Sequence, residues 1–171
     1  MKFAVNVEMT MTEDLLCIDT NVMIWGILRN GRTEREKEMI EKAASFFENG
    51  FKEGKIFAIS VITLSEFMVR IPPEERDQYI ELISGNFVLI PYSEDAALKT
   101  ADIFREQYAE MKSKYHGMRG ILHADLQILA SAVVFGGVKL ITEDGAFREL
   151  AAKYIPVSGL PEPPPEQPLL F

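Results

Sequence analysis

At 171 residues, with 47% hydrophobic side chains and a mean hydropathy of +0.02, the chain is the size of one ordinary domain and has the apolar content to close a single core. Its 26 acidic against 18 basic residues give a net charge of −8, which argues against a protein that coats nucleic acid by bulk electrostatics. No stretch reaches the roughly 18 apolar residues of a membrane span, the opening "MKFAVNVEMTMTED" lacks an apolar core of signal-peptide length, and the one cysteine, Cys17, excludes an internal disulfide, so a cytoplasmic location is expected.

Residues 1–13 precede the first predicted strand and read as an N-terminal extension. "DLLCID" (14–19) then reads as a strand, and in "LLCIDTNVMIW" it passes into a buried helix across three polar residues, Asp19, Thr20 and Asn21. "TEREKEMIEKAASFFENG" (33–50) has apolar positions at helical spacing and ends at Gly50; "KIFAIS" (55–60) is a second strand. "VITLSEFMVR" is a helix stopped by Pro72 and Pro73, "EERDQYIELISG" is another ending at Gly85, and "NFVLIP" is a third strand. A long helix fits 93–115 and an apolar one 121–135; "VKLIT" (138–142) is a fourth strand followed by a short helix, and "KYIPV" is a candidate fifth. Strands alternating with helices predict an α/β domain over 14–157: a parallel sheet with helices on both faces, because parallel strands need crossover connections. From Pro156 the composition changes: six of the nine prolines fall in "PVSGLPEPPPEQPLLF", and 158–171 reads as an extended tail.

In such sheets the site forms outside the carboxyl ends of the strands, where strand order reverses. Four acids that interrupt apolar patterns fall on that edge. Asp19 ends the first strand, where it either caps a helix or works. Glu66 lies on the helix after the second strand among Ile62 and Val69, with a surface pair to Arg70 as the alternative. Asp125 projects from a stripe of Ile121, Ile128, Leu129 and Ala132, with a favourable interaction with the helix dipole as its rival account. Asp144 follows the fourth strand, where a cap or turn is the simplest role taken alone; Glu143 beside it reads as facing solvent. Four carboxylates brought together repel and raise one another's pKa unless a cation neutralises them. An all-oxygen donor set selects Mg²⁺ or Mn²⁺ over zinc, and such an ion can activate water for phosphodiester cleavage. Hydroxyls of Thr20, Ser65 and Thr142 stand beside the acids in sequence and can orient ligands or water.

Taken in order and spacing, "CIDTNVMIW", "AISVITLSEF" and "HADLQILASAVVFGGVKLITEDGAF" resemble the PIN-domain ribonucleases, especially the VapC-type toxins of toxin–antitoxin pairs. The resemblance runs from about Leu15 to Val157 and implies a three-layer α/β/α sandwich around a mostly parallel sheet of four to five strands. It matches Asp19, Thr20 and Asn21 to the family's D-T-N motif, and Ser65 and Glu66 to its S-E pair. Asp125 matches the aspartate of its alanine-rich helix, and Thr142 and Asp144 its T-x-D motif. The family implies Mg²⁺- or Mn²⁺-dependent endonucleolytic cleavage of RNA, with Asp19, Glu66 and Asp125 as main metal ligands and Asp144 as a direct or water-mediated fourth. It also implies a homodimer neutralised by a small antitoxin.

Lys112, Lys114 and Arg119 are candidate contacts to the RNA backbone and Tyr115 a candidate base-stacking platform; a solvated helix end explains the same cluster. His116 and His123 stand near Asp125, but metal-assisted cleavage requires no histidine base. The end of the tail, "QPLLF", resembles the peptide by which bacterial proteins dock on the sliding clamp; folding back on its own domain or filling a partner groove are the alternatives. A PIN-like scaffold without activity, acting through that tail, is the rival functional class. A phosphatase with an aspartyl nucleophile wants a second aspartate two residues after Asp19, where Asn21 stands.

Overall fold

The computed structural model describes residues 15–114, 119–136 and 139–163; the expected extension over 1–13 and the peptide 167–171 lie outside them. The strands are β1 (Leu15–Ile18), β2 (Ile56–Ser60), β3 (Val88–Ile90), β4 (Lys139–Ile141) and β5 (Val157–Ser158). Between them run α1 (Thr20–Met23), α2 (Glu34–Lys52), α3 (Val61–Met68), α4 (Arg76–Asn86), α5 (Glu94–Lys114), α6 (Arg119–Phe135) and α7 (Gly145–Ala151). Among the described residues no helix is long and apolar enough to cross a membrane.

The sheet has the order β3-β2-β1-β4-β5, and every neighbouring pair is parallel. The chain lays β2 and β3 on one side of β1, then returns to place β4 on the other. Strand order therefore reverses at β1 and β4, and open α/β sheets set their sites beyond the carboxyl ends of the strands at such a point.

Successive side chains of a strand point to opposite faces, and here each face has its own core. Leu15 and Cys17 of β1, Ala58 of β2 and Leu140 of β4 pack with Ile103, Leu126, Leu129 and Phe147 on one side. Ile18, Phe57, Ile59 and Ile141 pack on the other with Val22, Phe47, Phe67 and Ile83. Phe57 is the hub of an aromatic cluster, its ring 5.0 Å from that of Phe47 and 4.9 Å from that of Phe51.

Helix starts follow cap chemistry. Thr33 and Glu36 form a reciprocal capping box that opens α2, and the Ser60 hydroxyl accepts the Thr63 N–H to open α3. Most helix ends fall within a residue or two of the sequence expectation, and three differences have a clear physical reason. Helix α2 runs past Gly50 to Lys52, because Gly50 is there for close approach: the Phe57 ring occupies the place a Cβ would take. The segment after α1 continues as a wider π-type turn, Ile24–Leu28, that ends at Arg29 with a left-handed φ of 51°. Strand β5 starts at Val157 rather than Lys153, because Tyr154 and Ile155 still donate to the Ala151 carbonyl and complete the turn after α7. Beyond β5, Leu160 is buried in the second core and Glu162 pairs with Lys42 of α2 at 2.7 Å.

Candidate functional site

Asp19 leaves β1 in extended conformation at the reversal point and is 4% exposed. Its Oδ1 accepts the Thr20 N–H at 2.7 Å, so it does cap α1; its Oδ2 accepts the Thr142 hydroxyl at 2.7 Å. The same Thr142 oxygen accepts the Asp144 N–H at 3.1 Å, so one fully buried hydroxyl joins two of the acids. The Thr20 hydroxyl donates to Glu66 Oε2 at 2.5 Å, tying the end of β1 to α3. Asp144 caps α7, its Oδ1 accepting the Phe147 N–H at 2.8 Å. Capping accounts for one oxygen of Asp144 and leaves its other oxygen for further ligands.

Asp125 sits in the second turn of α6, which starts at Arg119, next to the buried Leu126, Ile128 and Leu129. Dipole stabilisation fades within the first turn, and the electrostatics run the other way. Burial first, then the charges of Asp19, Asp144 and Glu66, raise the Asp125 carboxyl from 3.8 to about 7. Burial also raises Asp19 to about 6, against the lowering effect of its bonds from Thr142 and Thr20, with Glu66 and Asp144 adding to the rise. The charges of Glu66 and Asp144 thus reach both Asp19 and Asp125 from α3 and the turn after β4.

Among the described residues no three acids, histidines or cysteines are spaced as a ready cage for an ion. The donor set still fits one by its chemistry. It is all carboxylate, and two of its members are held partly protonated near neutral pH by burial and by one another. Mg²⁺ in particular keeps several waters and takes only one or two carboxylates directly, so it does not demand a closed cage.

Of the other sequence candidates, Asn21, Ser65 and His123 are exposed. Tyr115 and His116 lie outside the described residues, as do the side chains of Lys112, Lys114 and Arg119. Glu143 corrects the sequence expectation: its side chain is 24% exposed rather than solvent-facing, it accepts the Leu160 N–H at 2.5 Å, and it pairs with Arg148 at 3.3 Å. Arg148, which donates to the Thr142 carbonyl at 2.8 Å, was not singled out in the sequence, because nothing in its helical spacing announces a bond back to the turn that precedes α7.

The PIN domain family profile matches residues 16–153. No curated protein matches the chain. Among solved structures, the chain is similar to DNA-bound VapBC from Salmonella typhimurium, at 20% identity and TM-score 0.61, covering 86% of this chain and 98% of that one. It is also similar to VapBC2 from Rickettsia felis bound to a promoter DNA fragment (17%, TM-score 0.56, 84% of this chain and 97% of that one). FitAcB from Neisseria gonorrhoeae is a third (20%, TM-score 0.52, 84% and 96%). At these identities the likeness shows a shared fold.

Proposed function

The chain belongs to the PIN domain family, and from that premise we propose that it is a divalent-metal-dependent endoribonuclease, the toxin of a VapBC-type pair. The observation that carries the proposal is Asp125, a carboxyl raised to about 7 by burial and by three other acids that reach it from β1, α3 and the turn after β4. A structure with only capping roles for these residues has no reason to gather their charges. Asp19, Glu66 and Asp125 would hold Mg²⁺ or Mn²⁺, directly or through its bound waters, with Asp144 a direct or water-mediated fourth. When bound there, the ion would supply activated water and charge stabilisation for phosphodiester cleavage. Thr142 and Thr20 orient Asp19 and Glu66 through the bonds described above.

Lys112, Lys114 and Arg119 contact the RNA backbone and Tyr115 stacks on a base. The partner is a small antitoxin, a proposal supported by the toxin–antitoxin complexes among the similar structures, and the working form is a cytoplasmic homodimer.

The test is Mn²⁺-dependent cleavage of a mixed pool of structured RNA by wild type, Asp19→Asn and Asp125→Asn. Cleavage by wild type that is lost in both folded variants supports the proposal. A wild type that neither cleaves RNA nor binds Mn²⁺ in calorimetry overturns it, and leaves a PIN-fold binding scaffold working through its C-terminal tail.

A further inference from the structure

The turn after β4 carries Thr142 and Asp144, and a clamp of three other groups closes on it. Arg148 Nη2 donates to the Thr142 carbonyl at 2.8 Å and to Glu143 Oε2 at 3.3 Å. The other Glu143 oxygen accepts the Leu160 N–H at 2.5 Å. Gly159 lies so close that a Cβ there collides with Glu143 Oε1 and comes within 2.8 Å of Arg148 Nη2. Among the described residues Arg148 Nε is buried without a partner. The side chain as a whole is 38% exposed, so the covered Nε follows from where Nη2 sits against the turn.

We infer that Arg148 is a positioning residue for the acid edge: with Glu143 and the Gly159–Leu160 backbone it fixes the turn that aims the Thr142 hydroxyl and the Asp144 carboxylate. The inference rests on the metal-dependent nuclease assignment for its functional consequence. Its geometric basis is that residue 142 is held at both ends. Its N–H donates to the Ser158 carbonyl at 3.0 Å and its carbonyl accepts from Arg148. With both backbone groups engaged, the Cα–Cβ bond of residue 142 is fixed in place, and from there the hydroxyl serves Asp19 and Asp144 together. A rotation of residue 142 is therefore transmitted to two of the four acids at once. A planar guanidinium can serve a carbonyl and a carboxylate side by side, whereas a lysine ammonium lacks that fork. Simple neutralisation of Glu143 is a different role and has a different signature, because it disappears when both charges are removed.

The experiment compares wild type with Arg148→Met, Arg148→Lys, the double variant Glu143→Gln/Arg148→Met, and Gly159→Ala, which disturbs the clamp from the strand side without changing any charge. Two quantities are read: metal-free amide exchange at Asp144 against Leu140, and the Mn²⁺ dissociation constant by calorimetry. Arg148→Met is expected to speed exchange at Asp144 about tenfold while Leu140 keeps its protection, and to weaken Mn²⁺ binding by about tenfold, the low end for a lost partner of a metal ligand. Gly159→Ala follows it in direction, Arg148→Lys recovers little, and the double variant does not recover. In RNA cleavage, the Mn²⁺ concentration for half-maximal rate rises by a larger factor than the saturating rate falls. Wild-type exchange and wild-type Mn²⁺ affinity in Arg148→Met overturn the inference, as does full recovery in the double variant. If wild type itself binds no Mn²⁺, the nuclease assignment fails, while the exchange data still decide whether the clamp positions the turn.

Discussion

Replacing Asp125 with Asn should stabilise the metal-free protein at pH 8 by about 2 kcal/mol, the value reached by discounting the raised carboxyl pKa. The Asp125 carboxyl titrates at 3.8 when unperturbed and at about 7 in the fold. A shift of about 3 units at about 1.4 kcal/mol each sets a ceiling of about 4 kcal/mol. The group is only partly buried and shares the strain with Asp19, Asp144 and Glu66, so about half of the ceiling is the working figure. The sign follows from which state holds the proton. Between pH 3.8 and about 7 the folded chain keeps a proton that the unfolded chain has released, so stability falls as pH rises through that window and the loss is complete above it. Asn removes the penalty. For a chain of this size, about 2 kcal/mol corresponds to roughly 4–8 °C in Tm. Thermal melts in EDTA from pH 5 to pH 8 should show the gap between variant and wild type widening up to about pH 7 and flat beyond. Saturating Mn²⁺ should raise the wild type towards the variant and move the variant little. A gap that does not change with pH, or a variant that melts below wild type at pH 8, refutes the electrostatic account of these acids.

Thr142→Val keeps the shape of a fully buried residue but leaves Asp19 Oδ2 and the Asp144 N–H without their shared hydroxyl. It should cost about 1–3 kcal/mol in urea denaturation and weaken Mn²⁺ binding about 10- to 100-fold in calorimetry; unchanged Mn²⁺ affinity contradicts the role given to the hydroxyl. Cys17 is 2% exposed and burial pushes its thiol up to about 12, so the native protein should release no colour with a thiol-specific disulfide reagent at pH 8 and one equivalent in denaturant. Phe57→Ala removes the ring that touches Phe46, Phe47, Phe51 and Phe87 and should cost about 3–5 kcal/mol by the same denaturation assay. A loss below about 1 kcal/mol would mean that the aromatic cluster closes over the gap.

The four acids were visible in the sequence because each breaks an apolar pattern, and a broken pattern is a local fact. The strand and helix alternation was visible for the same reason, and it sufficed to place Asp19 and Asp144 at the strand ends where the sheet order reverses. What escaped depends on distant pieces meeting. Gly50 looks like a helix stop until Phe57 of β2 arrives to need its missing side chain. Glu143 looks solvated until β5 lies down beside β4 and Leu160 presents its N–H. Lys153–Ile155 carries β-type residues but spends its backbone N–H groups on finishing α7, and only from the Pro156 carbonyl, which accepts the Leu140 N–H, does the chain serve the sheet, a competition settled by the helix ahead of it and invisible in the segment itself.

The pairing of β1 with β4 also has a consequence for translation. The Asp19–Thr142 bond closes a span of 123 residues. At about 5–20 residues per second of synthesis, roughly 6–25 s separate the emergence of its two ends. Asp19 and Glu66 leave the ribosome early; Asp125 and Asp144 follow near the end, and the central strand gains its second neighbour only then. A nascent chain therefore carries half of the acid set and no complete one for most of its own making, so that the activity proposed for these acids waits until the last strands are in place.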